Sequence, residues 1–191
     1  MDEQTLASAN GAVPLHSVVG SDALIPKRSA VTARGELYLE PIEGVHFRAA
    51  RPVVHDDGVV VEVARTTWEI VDQPIVQVHT TTTLPGRVRG WGLHLHGTDR
   101  LFVAYGLVSI VIYDGRRDSV TFGRVNEFRL SERNPGLVIV APGLYHGWKN
   151  IGTDEAIIIN MPTRLYQHDG PDALDLPYGS DRAREIVPFQ W

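Results

Sequence analysis

The chain has 191 residues, 43% hydrophobic and 21% charged, with a formal net charge of −5 and no cysteine. That length suits one domain with a sizeable hydrophobic core. The acidic balance excludes the electrostatic footprint of a nucleic-acid or anionic-membrane binder, and the missing cysteines exclude disulfides and thiolate chemistry. No stretch approaches the roughly 18 apolar residues of a membrane span, and no basic stretch leads into an apolar run, so a cytoplasmic protein is expected.

Residues 1–26 show neither helical nor strand period and predict a flexible N-terminal arm, followed by a single domain at 27–191. From Leu37 onward, short β-branched runs alternate with turn residues. The runs are 59–63, 74–83, 88–96, 101–105, 108–113, 126–130, 137–140 and 156–161. Asp56-Asp57-Gly58, Leu84-Pro85-Gly86, Gly97-Thr98-Asp99, Asp114-Gly115, Asn134-Pro135-Gly136 and Ala141-Pro142-Gly143 punctuate them. Many short strands with turns between them, and a helix predicted only at 180–185, give an all-β antiparallel sandwich or barrel.

His94-Leu95-His96 lies near the end of one predicted strand, and alternation would put both imidazoles on one face. The Gly97-Thr98 turn would then bring Asp99 opposite His96. Alternation also puts Arg89 on the face opposite His94. A third histidine stands in Pro142-Gly143-Leu144-Tyr145-His146-Gly147-Trp148. Three imidazoles and a carboxylate are a standard divalent-metal set; the plainer alternative is that the histidines pack and hydrogen-bond in a barrel interior.

On these residues the sequence resembles the cupin family, a jelly-roll β-barrel. His94, His96, Asp99 and Gly106 look like its first motif, with a shorter turn and Asp for the usual Glu. Gly136, Pro142, Gly143, His146 and Asn150 look like its second.

A closer resemblance covers Asp56 to Ile186. Gln77, His79, Thr81, Thr83, Gly86, Arg89 and Gly90 fall in frame with one stretch of the dTDP-4-dehydrorhamnose 3,5-epimerase family. A later stretch is similar through Asp114, Arg116, Ser119, Thr121, Phe122, Gly123, Leu130, Ser131, Asn134, Pro142, Gly143, His146, Gly147 and Trp148. The resemblance implies an epimerase or isomerase acting on a dTDP-4-keto sugar without a cofactor. His94 would be the base, Asp181 its orienting carboxylate, and Tyr166 a tyrosine of the substrate pocket; Tyr145 and Tyr166 are the candidates to substitute as acid. Glu62, Gln77, His79, Arg89, His96, His146 and Asn160 would bind substrate, with Arg89 on the nucleotide phosphate.

Three working positions depart from the family. Asp99 stands for its enolate-steadying lysine, Asn160 for its proton-donating tyrosine, and Asp57 for its first nucleotide arginine. Asp99 for lysine also fits a metal-dependent cupin, with His94, His96, His146 and Asp99 holding a divalent Fe, Zn, Mn or Ni ion. A third reading is a non-catalytic cupin that binds a small molecule. The resemblance further implies a homodimer in which residues before about Val53 add a strand to the partner's sheet. Segment 35–47, strand-prone but poor in apolar alternation, motivates that expectation.

Overall fold

The computed structural model of the chain describes residues 13–24, 31–35 and 38–191. Packing divides it into Met1–Tyr38 and Leu39–Trp191. Among the described residues of the first unit are two single 3-10 turns, Leu15–Ser17 and Ser21–Ala23, with no buried residue. Most of the predicted arm, and its boundary at 26/27, lies outside the described residues.

The second unit is built of strands β1 (Val45–Ala49), β2 (Val53–His55), β3 (Gly58–Val60), β4 (His79–Thr83), β5 (Val88–His94), β6 (Asp99–Tyr105) and β7 (Val108–Tyr113). Strands β8 (Val125–Leu130), β9 (Gly136–Val140), β10 (Tyr145–Asn150), β11 (Ala156–Asn160) and β12 (Ala173–Asp175) follow, then one helix, α1 (Asp181–Ile186). Two five-stranded sheets, β1-β9-β6-β11-β4 and β12-β5-β10-β7-β8, form with antiparallel pairing throughout, beside a small β2-β3 hairpin. This is the jelly-roll barrel that the sequence predicts.

Alternation explains the continuous apolar runs of the central strands. Leu101 and Val103 of β6, Val108, Ile110 and Ile112 of β7, and Val138 and Val140 of β9 meet in the core between the sheets. Their odd neighbours are also covered, because Phe102, Leu137 and Ile139 face outward onto Val71, Trp68 and Ile70. Val111 and Tyr113 likewise pack against Trp91, Ala183 and Val187 at the C-terminal helix. Strands buried on both faces lose the polar half of their alternation. Helix α1 starts where Ser180 Oγ accepts from the Ala183 amide at 3.1 Å.

Segment 45–49 does not leave for another sheet here: β1 pairs with β9 of its own chain, Val45 opposite Val140. The motif residues Asp114, Arg116, Ser119 and Thr121 close the β7–β8 connection. The fully buried Asp114 carboxylate accepts from Arg116, Ser119 and Thr121. Burial alone would raise its pKa, and these donors outweigh that, holding it well below the carboxylate range.

Candidate active site

Strand β5 ends on His94 because the next three residues give their amides to a carboxylate. Asp172 Oδ1 accepts from Leu95 at 3.2 Å and His96 at 2.9 Å, and its Oδ2 accepts from Gly97 at 2.7 Å. The chain reverses over this anchor and enters β6 at Asp99. Beyond His94 there is no strand to impose alternation, and His96 turns out to a smaller hollow with Leu95 and Pro171. The expectation that His94 and His96 share a face is thus corrected.

Asp99, only 4% exposed, faces His94 and His146 rather than His96. Its Oδ2 lies 3.2 Å from His94 Nε2 and 3.2 Å from His146 Nε2. Its Oδ1 accepts from Asn160 Nδ2 at 3.0 Å. The two imidazoles are nearly parallel, with centroids 5.5 Å apart. They come together because β10 runs beside β5 with His146 opposite Gly92, two residues before His94, and Gly92 leaves that side open.

The electrostatics follow from this contact. Hydrogen bonding to Asp99 raises the His94 pKa above its ordinary value; burial works against this, and the charges of Asp99, Asp172 and Asp175 reinforce it. For Asp99, burial pushes the pKa up, but the hydrogen bonds from His146 and His94 outweigh it and hold the carboxyl far below its usual range. His146 Nδ1 lies 3.1 Å from the Leu144 carbonyl, which can only accept. That nitrogen therefore carries a proton and donates.

The three groups stand on the wall of a cavity of about 830 Å³ between the sheets' ends and the 162–177 segment. Gln77, His79, Arg89, Asn160 and Tyr166 also line it. Gln77 Oε1 accepts from the Tyr166 amide at 3.0 Å, which ties the β4 approach to the 162–177 segment. Arg89 reaches the cavity because β5 bulges. Trp148 pairs with Arg89 while His146 pairs with Gly92, so three residues of β5 span two of β10. The bulge puts Arg89 on the His94 face, correcting the simple alternation.

Two further residues named from sequence stand elsewhere. Glu62 is exposed and ion-paired with Arg65. The Asp181 side chain is 95% exposed at the start of α1 and pairs with Arg184 at 2.6 Å. Neither lines the cavity, and Asp181 is not the carboxylate beside His94. Those carboxylates are Asp99 and Asp172, whose Oδ2 is 3.8 Å from His94 Nδ1. Asp172 was missed because Gly170-Pro171-Asp172 reads as a surface turn. Its only sequence signal is the short apolar stretch after it, which becomes β12 on β5.

Among the described residues His94, Asp99 and His146 are the group whose ligand-capable atoms converge, all within 4.8 Å of one another. Chemically, a buried carboxylate orienting an imidazole on a cavity wall is an acid–base device. Fold and site together define a jelly-roll enzyme of the proton-transferring, epimerase or isomerase class.

Residues 41–176 match the family described as dTDP-4-dehydrorhamnose 3,5-epimerase, and the chain belongs to it. It is 33% identical over 138 residues to the probable low-salt glycan biosynthesis epimerase Agl13 of Haloferax volcanii, spanning 72% of this chain and 88% of that one. It is 27% identical over 150 residues to the spore coat polysaccharide biosynthesis protein SpsL of Bacillus subtilis, spanning 78% and 96%. The crystal structure of a dTDP sugar isomerase from Desulfovibrio desulfuricans G20 superposes with a TM-score of 0.72 at 25% identity, covering 81% of this chain and 94% of that one. The protein is a sugar-nucleotide epimerase or isomerase by family.

Proposed function

We propose that this enzyme moves a proton at a carbon beside the ketone of a dTDP-4-keto sugar, with His94 as base, Tyr166 as acid and no cofactor. The observation that carries the reading is the Asp99–His94 pair on the cavity wall, Oδ2 to Nε2 at 3.2 Å. Neutral His94 keeps its Nε2 proton on Asp99, so the lone pair stands on Nδ1. After Nδ1 takes the substrate proton, Asp172 Oδ2, 3.8 Å away, stabilises the imidazolium. Asp99 thereby takes the orienting part that the resemblance gave to Asp181. Gln77, His79 and Arg89, lining the same cavity, hold the nucleotide end, Arg89 by its guanidinium on phosphate.

The reading includes residues 27–191 as the working domain, a cytoplasmic location and a homodimer. For the location, no helix among the described residues is long and apolar enough to cross a membrane. For the dimer, Val53, Val54, Val59 and Val60 of the β2-β3 hairpin are all at least half exposed, an apolar patch suited to a second copy. Light scattering that gives a stable monomer at micromolar concentration would count against the dimer.

The test of function is deuterium wash-in from solvent into dTDP-4-keto sugars. His94→Asn is expected to lower it by about 10²–10⁴, the usual worth of a general base. Unchanged wash-in in that variant removes His94 from the reaction.

A further inference from the structure

We propose that His94 Nε2, His146 Nε2 and Asp99 Oδ2 also form a binding site for one divalent transition-metal ion of the zinc class, and that an ion bound there switches the enzyme off. The site stands on geometry alone; the switching rests on the function proposed above.

Both Asp99 contacts are 3.2 Å. Charge-assisted N–H···O pairs close to about 2.7–2.9 Å. Metal bonds of about 2.0–2.1 Å at tetrahedral to octahedral angles instead set donor atoms roughly 3.0–3.4 Å apart. The observed spacing suits ligands of a common ion as well as it suits hydrogen bonds, and the three atoms all lie within 4.8 Å of one another.

The outer partners point the same way. A histidine that ligates through one nitrogen donates through the other, usually to a carbonyl or carboxylate. His146 Nδ1 has the Leu144 carbonyl at 3.1 Å, while His94 Nδ1 has the Asp172 carboxylate at 3.8 Å, a charge contact beyond hydrogen-bond reach. Asn160 occupies Asp99 Oδ1, leaving Oδ2 as a single ligand atom. With Nδ1 turned to the Leu144 carbonyl, His146 has Nε2 as its nitrogen toward Asp99, and that is the nitrogen an ion would take. Two imidazoles and one carboxylate leave coordination positions open to the cavity, as zinc accepts.

The switch follows from the tautomer. Catalysis as proposed needs His94 protonated at Nε2 with its lone pair on Nδ1. An ion on Nε2 forces the other tautomer, with the single proton of the neutral ring moved to Nδ1, facing Asp172. His94 then has no lone pair for substrate.

Chelator-treated full-length protein is titrated with Zn²⁺ by calorimetry and with Co²⁺ by visible absorption. One ion per chain and a Co²⁺ band of low coordination number are expected, and zinc-loaded enzyme is expected to lose deuterium wash-in. Asp99→Asn and His146→Asn are each expected to weaken binding by at least about 10-fold, since even an outer-sphere partner is worth that much. His96→Asn leaves binding unchanged, because His96 faces the other hollow. The Co²⁺ spectrum of the wild-type chain needs no variant to fold. Sub-stoichiometric binding, or equal weakening by His96→Asn, overturns the site. Full wash-in by zinc-loaded enzyme overturns the switch. Failure of metal-free enzyme to exchange any 4-keto sugar overturns both the switch and the proposed function, while the two titrations still decide the site.

Discussion

Asp99 and His94 face each other across the reversal between β5 and β6, carboxylate Oδ2 to imidazole Nε2 at 3.2 Å, and with His94 as the proposed base this contact is expected to set the pH dependence of activity. The histidine pKa is raised chiefly by the hydrogen bond to Asp99. A base must be neutral to act, so activity is expected to rise with pH through a value above the ordinary 6.5 or so of histidine. Asp99→Asn removes the hydrogen bond to a charge, and the rising limb should move to lower pH. The stability effect has the opposite sense. A raised folded-state pKa adds stability that is complete below the unfolded value and is lost as pH climbs through the folded one. Melting temperature should therefore fall over that window in the wild type and fall less in Asp99→Asn. A rising limb that does not move in the variant assigns the titration to another group.

The Asp172 carboxylate holds the reversal by accepting from the amides of Leu95, His96 and Gly97. Asp172→Ala leaves those donors without their acceptor, and a buried unmet donor costs about 1–3 kcal/mol. Water reaches part of this loop, so a loss near the lower bound is expected, measured by denaturant unfolding. The variant also frees His94 at the end of β5, so kcat should fall more than KM rises. A variant with wild-type kcat would confine Asp172 to a surface role.

Much of this arrangement was legible in the sequence, and the failures have physical causes. Strands β6, β7, β9 and β11 lie close to their predicted limits because each is apolar enough to be buried. His94, Asp99 and His146 were found from residue type and spacing. His96 was misplaced because alternation was carried past the strand's true end, which is set by Asp172, some 75 residues away in sequence. The strand β12 carries no strand signal in the sequence because its three residues are exposed and exist as a strand only through pairing with β5. Arg89 was put on the wrong face because nothing local announces the bulge opposite Gly147. Asp181 stood out only by resemblance, in a run whose charges are in fact satisfied within the helix. Asp181→Asn should therefore leave deuterium wash-in unchanged and alter stability by no more than about 0.5 kcal/mol, as exposed sites do. A hundredfold loss of exchange would return it to the mechanism.

Gly147 in the Pro142–Trp148 motif is explained by the same bulge. A Cβ there would lie 2.7 Å from the Arg89 carbonyl oxygen and 3.1 Å from Gly90 Cα. Both are backbone atoms and cannot swing aside. Gly147→Ala must push β10 off β5, at an expected cost of about 1–3 kcal/mol, the usual range for forcing extra volume into a packed site. The displacement moves His146 away from Asp99, so the variant should also lose zinc affinity. A Gly147→Ala protein with unchanged unfolding free energy would show that the strands are not held so closely.

Tyr166 offers the sharpest test of how the proton returns. Its backbone amide is held by Gln77 Oε1 at 3.0 Å, while the residue is 55% exposed and its ring lies edge-on to His168 at 5.0 Å. It lines the cavity, whereas Asn160, standing where the family keeps a tyrosine, is committed to Asp99. Epimerisation needs two groups: one to remove the proton, and a second to return it to the opposite face. If Tyr166 is the second, Tyr166→Phe leaves His94 able to remove a proton and hand it back to the same face. Solvent deuterium should then still enter the sugar near the wild-type rate, while formation of the inverted product drops by about 10²-fold or more, in the range of a lost acid catalyst. Mass spectrometry follows the first quantity, and separation of the two epimers follows the second. Parallel loss of both would place Tyr166 in substrate binding, and inversion at the wild-type rate would leave the acid to be sought at Tyr145, which lies outside the cavity lining.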